Sequence, residues 1–353
     1  MRAAGGPGGT ARVEIEGRGI GSGQGCLVIA EVGVNHDGSP ERAHMLLELA
    51  AGAGADAVKF QTFEPALVAS AEAQTAGYQR RLTTVGGQRD LLAGLALPSA
   101  VWPALRAHAR ERGLLFLSTA FDLPSARLLA DLGVPAFKVP SGELTNLPFV
   151  RVLADYGRPL LISTGMAVAE EVAAALTAAA HAPSIALFHC VSAYPADPAE
   201  ANLAAIPAMA TRFGVPIGWS DHTLGSVTAV AAVALGAALV EKHVTDNPDR
   251  TGPDHAASAG PDDFAAYVAA IRTAERALGD GVKQPTPSEW ANRDIVRRSW
   301  HTTRDLRPGD RLTEQDMIAL RPATGVSPAT DLVGRRLRRE VASGSVLRMD
   351  DLD

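Results

Sequence analysis

Residues 216–223 read PIGWSDHT and residues 238–244 read ALVEKHV. Both are short apolar runs that end abruptly in ionisable residues, Ser-Asp-His in one and Glu-Lys-His in the other. Six more runs of the same texture precede them: LVIAEVGV (27–34), DAVKFQT (56–62), LLFLSTA (114–120), AFKVPSG (136–142), LLISTG (160–165) and IALFHC (185–190). Each is continuously apolar rather than alternating, as expected of strands in a parallel sheet covered on both faces. Helical patterns separate them. Ser39-Pro40 with Glu41 opens one. LPSARLLADLG closes at Gly133. AVAEEVAAALTAAAHA and SVTAVAAVALGA are rich in the strong helix former alanine. Eight strand–helix units over residues 26–281 predict a (β/α)8 TIM barrel, an α/β fold of about 250 residues. A doubly wound open sheet is the rival, but the first strand runs into EVGVNHDGS and not into the glycine fingerprint of a dinucleotide site.

The flanks differ. Residues 1–25 are Gly-rich without an apolar signal core, and read as a mobile tail and lead-in. Residues 282–294 (VKQPTPSEWANRD) read as a polar linker with two prolines. Residues 295–353 have short apolar runs and Pro-Gly or Ser-Gly turns, which predicts a small, mainly β domain. An arginine cluster lies within it (Arg335, Arg336, Arg338, Arg339).

Composition bounds the function. Of 353 residues, 46% are hydrophobic and 20% charged, which is ordinary for a globular chain with a sizeable core. A net charge of −6 argues against nucleic acid or an anionic membrane as partner, though not against a phosphorylated small molecule. Two cysteines, Cys26 and Cys190, make no disulfide framework, and Cys190 reads as a reduced core residue. No apolar run approaches a membrane span. The expected compartment is the cytoplasm.

A TIM barrel carries its site at the C-terminal strand ends. The polar residues there are Glu31, Asn35 and His36; Lys59 and Gln61; Ser118 and Thr119; Lys138, Ser141 and Glu143; Ser163 and Thr164; His189, Ser192 and Tyr194; Ser220, Asp221 and His222; and Glu241, Lys242 and His243, with Asp254 beyond. Two lysines among hydroxyls suit a phosphate. Two histidines on neighbouring strands suit one divalent metal with open positions. Glu31, a carboxylate among apolar neighbours, suits a general base. Glu143, Asp254 and Asp221 form an acidic trio able to bind a polyol or N-acyl sugar. His189 alone reads as structural.

In these residues the chain resembles the sialic acid synthase family, which condenses phosphoenolpyruvate with an N-acyl hexosamine. The motifs are IAEVGVNHDG (29–38), VKFQTF (58–63), FLSTAFD (116–122), FKVPSGELTN (137–146), LISTGMA (161–167), FHCVSAYPAD (188–197), IGWSDHT (217–223), EKHVT (241–245) and DRTGPDHAAS (249–258). RDLRPGDRLTEQDM (304–317) and LRPATGVSP (320–328) resemble that family's antifreeze-like (SAF) domain. The resemblance implies that His222 and His243 ligate Mn2+, with Mg2+ or Co2+ possible. It implies Glu31 as the residue that activates water. Lys59, Thr119, Lys138, Ser141, Ser192 and Ser220 would hold phosphoenolpyruvate. Gln61, Glu143, Tyr194 and Asp254 would contact the amino-sugar aldehyde. Arg321 would reach the sugar from the partner subunit of a homodimer with swapped C-terminal domains. Ser192 and Ala323 stand where other members carry Asn and Gly, and the loop TAGYQRRLTTVGGQRDLL is unusual. Alternatives are a synthase for another sugar aldehyde, of legionaminic or pseudaminic type, and a non-catalytic sugar-binding homologue.

Overall fold

The computed structural model describes residues 12–75 and 87–353. Two compact units divide at Gly279/Asp280. In the first, β1 (Val13–Ile15) and β2 (Arg18–Ile20) form an antiparallel hairpin. Eight parallel strands then close into a barrel: β3 (Leu27–Gly33), β4 (Ala57–Thr62), β5 (Leu115–Ala120), β6 (Phe137–Val139), β7 (Leu160–Ser163), β8 (Ile185–Cys190), β9 (Ile217–Asp221) and β10 (Leu239–His243). β10 pairs with β3 to complete the ring. The TIM barrel expected from the sequence is therefore present.

Strand periodicity sorts side chains into two layers. Val28, Ala30, Val32, Val58, Phe60 and Val240 point outward and pack with Leu46, Leu105, Leu129 and Ile271 of the surrounding helices. Leu27, Ile29, Ala57, Leu117, Ala136, Leu161, Ala186, Phe188 and Leu239 point inward and fill the N-terminal half of the barrel. Val13, Ile15 and Ile20 of the hairpin belong to that same inner cluster. Residues 13–20 are thus not the mobile tail the glycine-rich flank suggested. The hairpin supplies three apolar side chains that close the bottom of the barrel. Residues 1–11 of that tail lie outside the described residues, as do residues 76–86 of the unusual loop after β4.

The helices begin and end on the expected signals. Ser39 caps the helix Pro40–Gly52 by accepting from the Arg42 N–H. Asp122 caps Leu123–Leu132, and Gly133 ends it at φ 81°, a conformation that glycine adopts without Cβ strain. Among the described residues, no helix is long and apolar enough to cross a membrane.

In the second unit most of the stretch read as a linker belongs to the helix Pro287–Val296, which runs two residues past it. Its proline occupies the first turn, where a missing N–H costs nothing, and Thr286 with Glu289 forms a reciprocal capping box. Pro287 starts a helix instead of marking a coil. Beyond it, β11 (Ser299–Thr302) pairs antiparallel with β12 (Met317–Leu320). Leu306, Leu312, Val326, Leu332, Leu337, Leu347 and Leu352 pack into the core of this small, mainly β unit.

Candidate active site

The inward parity that is apolar at the bottom of the barrel becomes polar at the top. Leu27 and Ile29 lead to Glu31, Ala57 to Lys59 and Gln61, Leu117 to Thr119, and Leu239 to Glu241 and His243. The ladders set these residues beside one another. Glu31 pairs in register with His243 on one side and Lys59 on the other, Gln61 with Thr119, Thr119 with Lys138, and Glu241 with Ser220. A register shift between Glu31 and Gly33 bends β3 at the rim. Gly33 adopts φ 56°, and a Cβ there would lie 3.3 Å from Glu31, Gln61 and His243 at once. A glycine lets these three side chains converge.

They line a cavity of about 460 Å³. Glu31, Lys59, Gln61, Thr119, Lys138, Ser141, Ser192, Tyr194, Ser220, His222, His243 and Asp254 all line it, whereas Glu143 and Asp221 of the same unit do not. The short turn Ser141–Glu143 gives Ser141 and Gly142 to the cavity, while Glu143 accepts a hydrogen bond from Asn146 at 2.8 Å. Glu143 is therefore not placed at the sugar end, because a 3-10 turn does not preserve strand parity. Arg321 lies on an exposed loop of the second unit.

Asp221 drops out of the acidic trio for a related reason. It alternates with Ser220 and His222 and so faces the helices. Its Oδ1 accepts from the Thr223 N–H and hydroxyl, and its Oδ2 from the Tyr267 hydroxyl at 2.9 Å. Lys242 behind it donates to the Thr223 carbonyl. His189 also points outward, 2.8 Å from the Ala201 carbonyl and against Trp219, in keeping with its structural reading. Cys190, read as core, is buried but lines the cavity, its Sγ 3.3 Å from Ser141 Oγ.

Glu241 is the residue to which sequence reasoning gave no role. It is buried between the two lysines, 3.2 Å from Lys138 and 3.5 Å from Lys59. Lys59 also lies 2.8 Å from Glu31 and donates to Thr119 Oγ1 at 2.9 Å. Two carboxylates and two ammonium groups thus balance in a buried row. Burial pushes the Glu31 carboxyl up to about 7, against the pull of Lys59. Burial alone would raise Glu241 as well, but Lys138 and Lys59 outweigh it and hold that carboxyl low. Burial lowers Lys138. It would lower Lys59 too, but the two glutamates outweigh it and raise that ammonium. Gln61 Nε2 donates to Glu31 Oε1 at 3.1 Å and so fixes the plane of the carboxylate.

The two histidines face each other with ring centroids 5.6 Å apart, and Tyr194 stacks on His222 at 4.1 Å. Burial drives His222 down to about 4 and His243 well below its ordinary range, so both imidazoles are neutral. His222 Nδ1 donates to the Val191 carbonyl at 2.6 Å, which leaves Nε2 as the acceptor nitrogen facing the cavity, with only the Ser220 hydroxyl near it at 3.4 Å among the described residues. His243 Nδ1 is buried without a hydrogen-bond partner, the Asp254 carboxylate standing 3.8 Å away. Two neutral imidazoles, one oriented by a carbonyl and one with an orphaned nitrogen, fit a divalent cation. Among the described residues no set of three His, Cys, Asp or Glu side chains could enclose one. The donors therefore suit an open site completed by water or substrate oxygens.

The rest of the cavity wall is mainly apolar, with Val34, Phe63, Val68, Leu91, Leu92, Leu95 and Phe121, interrupted by Gln88 and Ser163. Among the described residues, no Lys or Arg besides Lys59 and Lys138 lines it.

The sequence profile of the NeuB family matches residues 46–283, and that of the SAF domain residues 297–353. The chain belongs to the NeuB family. Its NeuB-family relatives include the N,N'-diacetyllegionaminic acid synthase of Legionella pneumophila, 39% identical over 94% of this chain and 96% of the relative. The Campylobacter jejuni enzyme of the same name is 40% identical over 85% of this chain and 92% of the relative. Among solved structures, N-acetylneuraminic acid (sialic acid) synthetase from Leptospira borgpetersenii, in complex with citrate, superposes with a TM-score of 0.70. It is 29% identical over 80% of this chain and 95% of that one. The resemblance to the sialic acid synthase family thus holds for both parts of the chain, and the relatives named above are synthases of legionaminic and sialic acids.

Proposed function

We propose that this chain is a phosphoenolpyruvate-dependent nonulosonic acid synthase, and that its acceptor is a 6-deoxy diacetamido sugar of the legionaminic type. The observation that carries the reaction is the buried row Glu31–Lys59–Glu241–Lys138 beside two neutral histidines in one cavity. Phosphoenolpyruvate brings a phosphate and a carboxylate together. Two lysines with an adjustable internal counter-charge can exchange Glu241 for that anion in a medium where charge pairs are strong. Thr119, Ser141, Ser192 and Ser220 add neutral donors along the same wall. C3 of phosphoenolpyruvate forms a bond to the aldehyde carbon while the carbonyl π pair moves onto the aldehyde oxygen, which becomes a hydroxyl on taking up a proton, and cationic character develops at C2. Glu31 accepts a proton from the water that adds to C2. The bond between C2 and the phosphate oxygen then breaks, the hydroxyl added at C2 loses its proton to become the keto group, and inorganic phosphate leaves. His222 and His243 would hold the divalent ion, Mn2+ in first place and Mg2+ or Co2+ by the same donors, which when bound polarises the aldehyde oxygen as a Lewis acid. Gln61, Tyr194, Asp254 and Arg321 of the partner subunit would bind the sugar, in a homodimer with swapped C-terminal domains. The complete polar set argues against a non-catalytic homologue.

The apolar wall favours the acceptor class. Acyl methyl groups and a 6-deoxy carbon gain from burial against leucine and phenylalanine, whereas a sugar phosphate needs a cation there. The 39–40% identity to two diacetyllegionaminic acid synthases supports the same choice. The test is kcat/KM with three acceptors, followed by phosphate release. The diacetamido 6-deoxy sugar is expected to exceed N-acetylmannosamine by about ten-fold or more, from a methyl and an acyl group in a fitted pocket, and N-acetylmannosamine 6-phosphate to be the poorest. Preference for the phosphorylated sugar would overturn the assignment of acceptor.

Gly165 provides a separate check on the phosphoenolpyruvate end. Its N–H donates to Ser141 Oγ at 3.0 Å. A Cβ there would lie 2.8 Å from Ser141 Oγ, 3.0 Å from Cys190 Sγ and closer still to Ser192 Oγ. Gly165→Ala displaces both hydroxyls and is expected to raise KM for phosphoenolpyruvate about ten-fold, the worth of one hydrogen bond to a charged group. The KM of the sugar stays within about two-fold. An unchanged KM for phosphoenolpyruvate would show that these serines do not hold it.

A further inference from the structure

Beside the cavity, the segment that follows β10 is held by contacts that the reaction does not use. His255 is fully buried. Its Nε2 lies 3.0 Å from Asp37 Oδ1 and its Nδ1 2.7 Å from Thr245 Oγ1. The Asp–His–Thr order is that of a hydrolase triad, but neither Thr245 nor His255 has exposed surface, so no substrate reaches it. The arrangement is a fastening. Asp37 sits in the turn after β3 at φ 49°. Its Oδ2 contacts Arg42 and lies 3.6 Å from Arg250. Arg42 reaches on to Asp246 at 2.8 Å. From the same turn, Asn35 Nδ2 donates to the Val244 carbonyl at 2.9 Å and to Ser258 Oγ at 2.8 Å, and Ser258 Oγ donates to the main-chain oxygen of Asp254 at 2.7 Å. The segment closes tightly around the imidazole: a Cβ on Gly252 would lie 2.6 Å from His255 Cδ2. The residue thus fastened on both sides is Asp254, whose carboxylate is presented to the cavity.

We infer that Asp37 is a positioning residue: through His255 it holds the segment 245–258 and thereby places Asp254 at the acceptor end of the cavity. The inference rests on the reading of that end as the amino-sugar site. A carboxylate that recognises sugar hydroxyl and amide N–H groups has to be held within about 0.5 Å by its supporting shell, and Asp254 comes from a connection rather than from a strand.

Asp37→Asn keeps the shape and removes the charge that gathers His255, Arg42 and Arg250. The variant is expected to raise KM for the amino sugar roughly 10- to 100-fold, as loss of an orienting partner does, with kcat and the KM of phosphoenolpyruvate within about two-fold. In combination with Asp254→Asn it adds nothing further, because both changes act through one contact. Additive effects, or a parallel loss in every parameter, would overturn the inference. A second measurement needs no turnover. Hydrogen exchange of residues 245–258 is expected to quicken in Asp37→Asn while the barrel strands keep their protection, and unchanged exchange in that segment overturns the inference by itself. Failure of the unaltered protein to use any amino sugar would instead count against the functional reading, and exchange would still decide the role of Asp37.

Discussion

Glu31→Gln is expected to lower kcat by ~10²–10⁴, the usual worth of a positioned general base, while phosphoenolpyruvate still binds. The substitution is nearly isosteric. It keeps an oxygen for the Gln61 donor and removes only the negative charge and the proton acceptor. Lys59 retains Glu241 at 3.5 Å and Thr119 at 2.9 Å, so the anion site survives. Loss of the charge beside Lys59 also frees that ammonium for the ligand, and phosphoenolpyruvate affinity should therefore hold or rise. Quenched-flow turnover together with equilibrium binding separates the two effects. Full turnover in the variant would remove Glu31 from the chemistry. Lost binding with intact turnover per bound substrate would make it a binding residue instead.

Glu241→Gln is expected to have the largest effect on stability. Lys138 is buried, with the Glu241 carboxylate 3.2 Å away as its ion-pair partner and the Phe188 ring at 4.7 Å. Removal of one member of a buried ion pair costs about 3–5 kcal/mol, because the surviving charge is left without compensation. For a barrel of this size that is a fall in Tm on the order of 10 °C. A ligand that carries the missing charge should restore much of it, since binding to the folded state alone stabilises by mass action. Millimolar phosphoenolpyruvate is thus expected to raise Tm more in the variant than in the unaltered protein. Equal shifts, measured calorimetrically, would mean that the anion does not sit between the two lysines.

Much of this was legible in the sequence. Eight continuous apolar runs at regular spacing gave the barrel, and the polar residues at their C-terminal ends gave most of the cavity. Parity was the signal left unused. Glu241 shares the inward face with His243, two residues apart, while Asp221 and Lys242 occupy the outward positions between inward neighbours. Counting in twos from His222 and His243 assigns all of them. Glu143 escaped for a different reason: it follows a strand by way of a 3-10 turn, where the count no longer applies. The hairpin over residues 13–20 was hidden by the glycines around it, and its apolar residues are too few to read as strands alone. They are ordered by the barrel interior that they close. The helix Pro287–Val296 is hidden by its two neighbouring prolines, of which Pro287 is the start signal. The fastening of Asp254 was beyond reach, because Asp37 and His255 are separated by more than two hundred residues and meet only when β10 pairs with β3.

The most direct measurement is release of inorganic phosphate from phosphoenolpyruvate by the full chain, with a diacetamido 6-deoxy hexose and Mn2+, against controls that lack the sugar or contain a chelator. Release that requires both the sugar and the metal, with one nonulosonic acid formed per phosphate, is the predicted result. Release without the sugar, or no release with any N-acyl amino sugar in the presence of Mn2+, Mg2+ or Co2+, would contradict the assignment of this cavity as a synthase site.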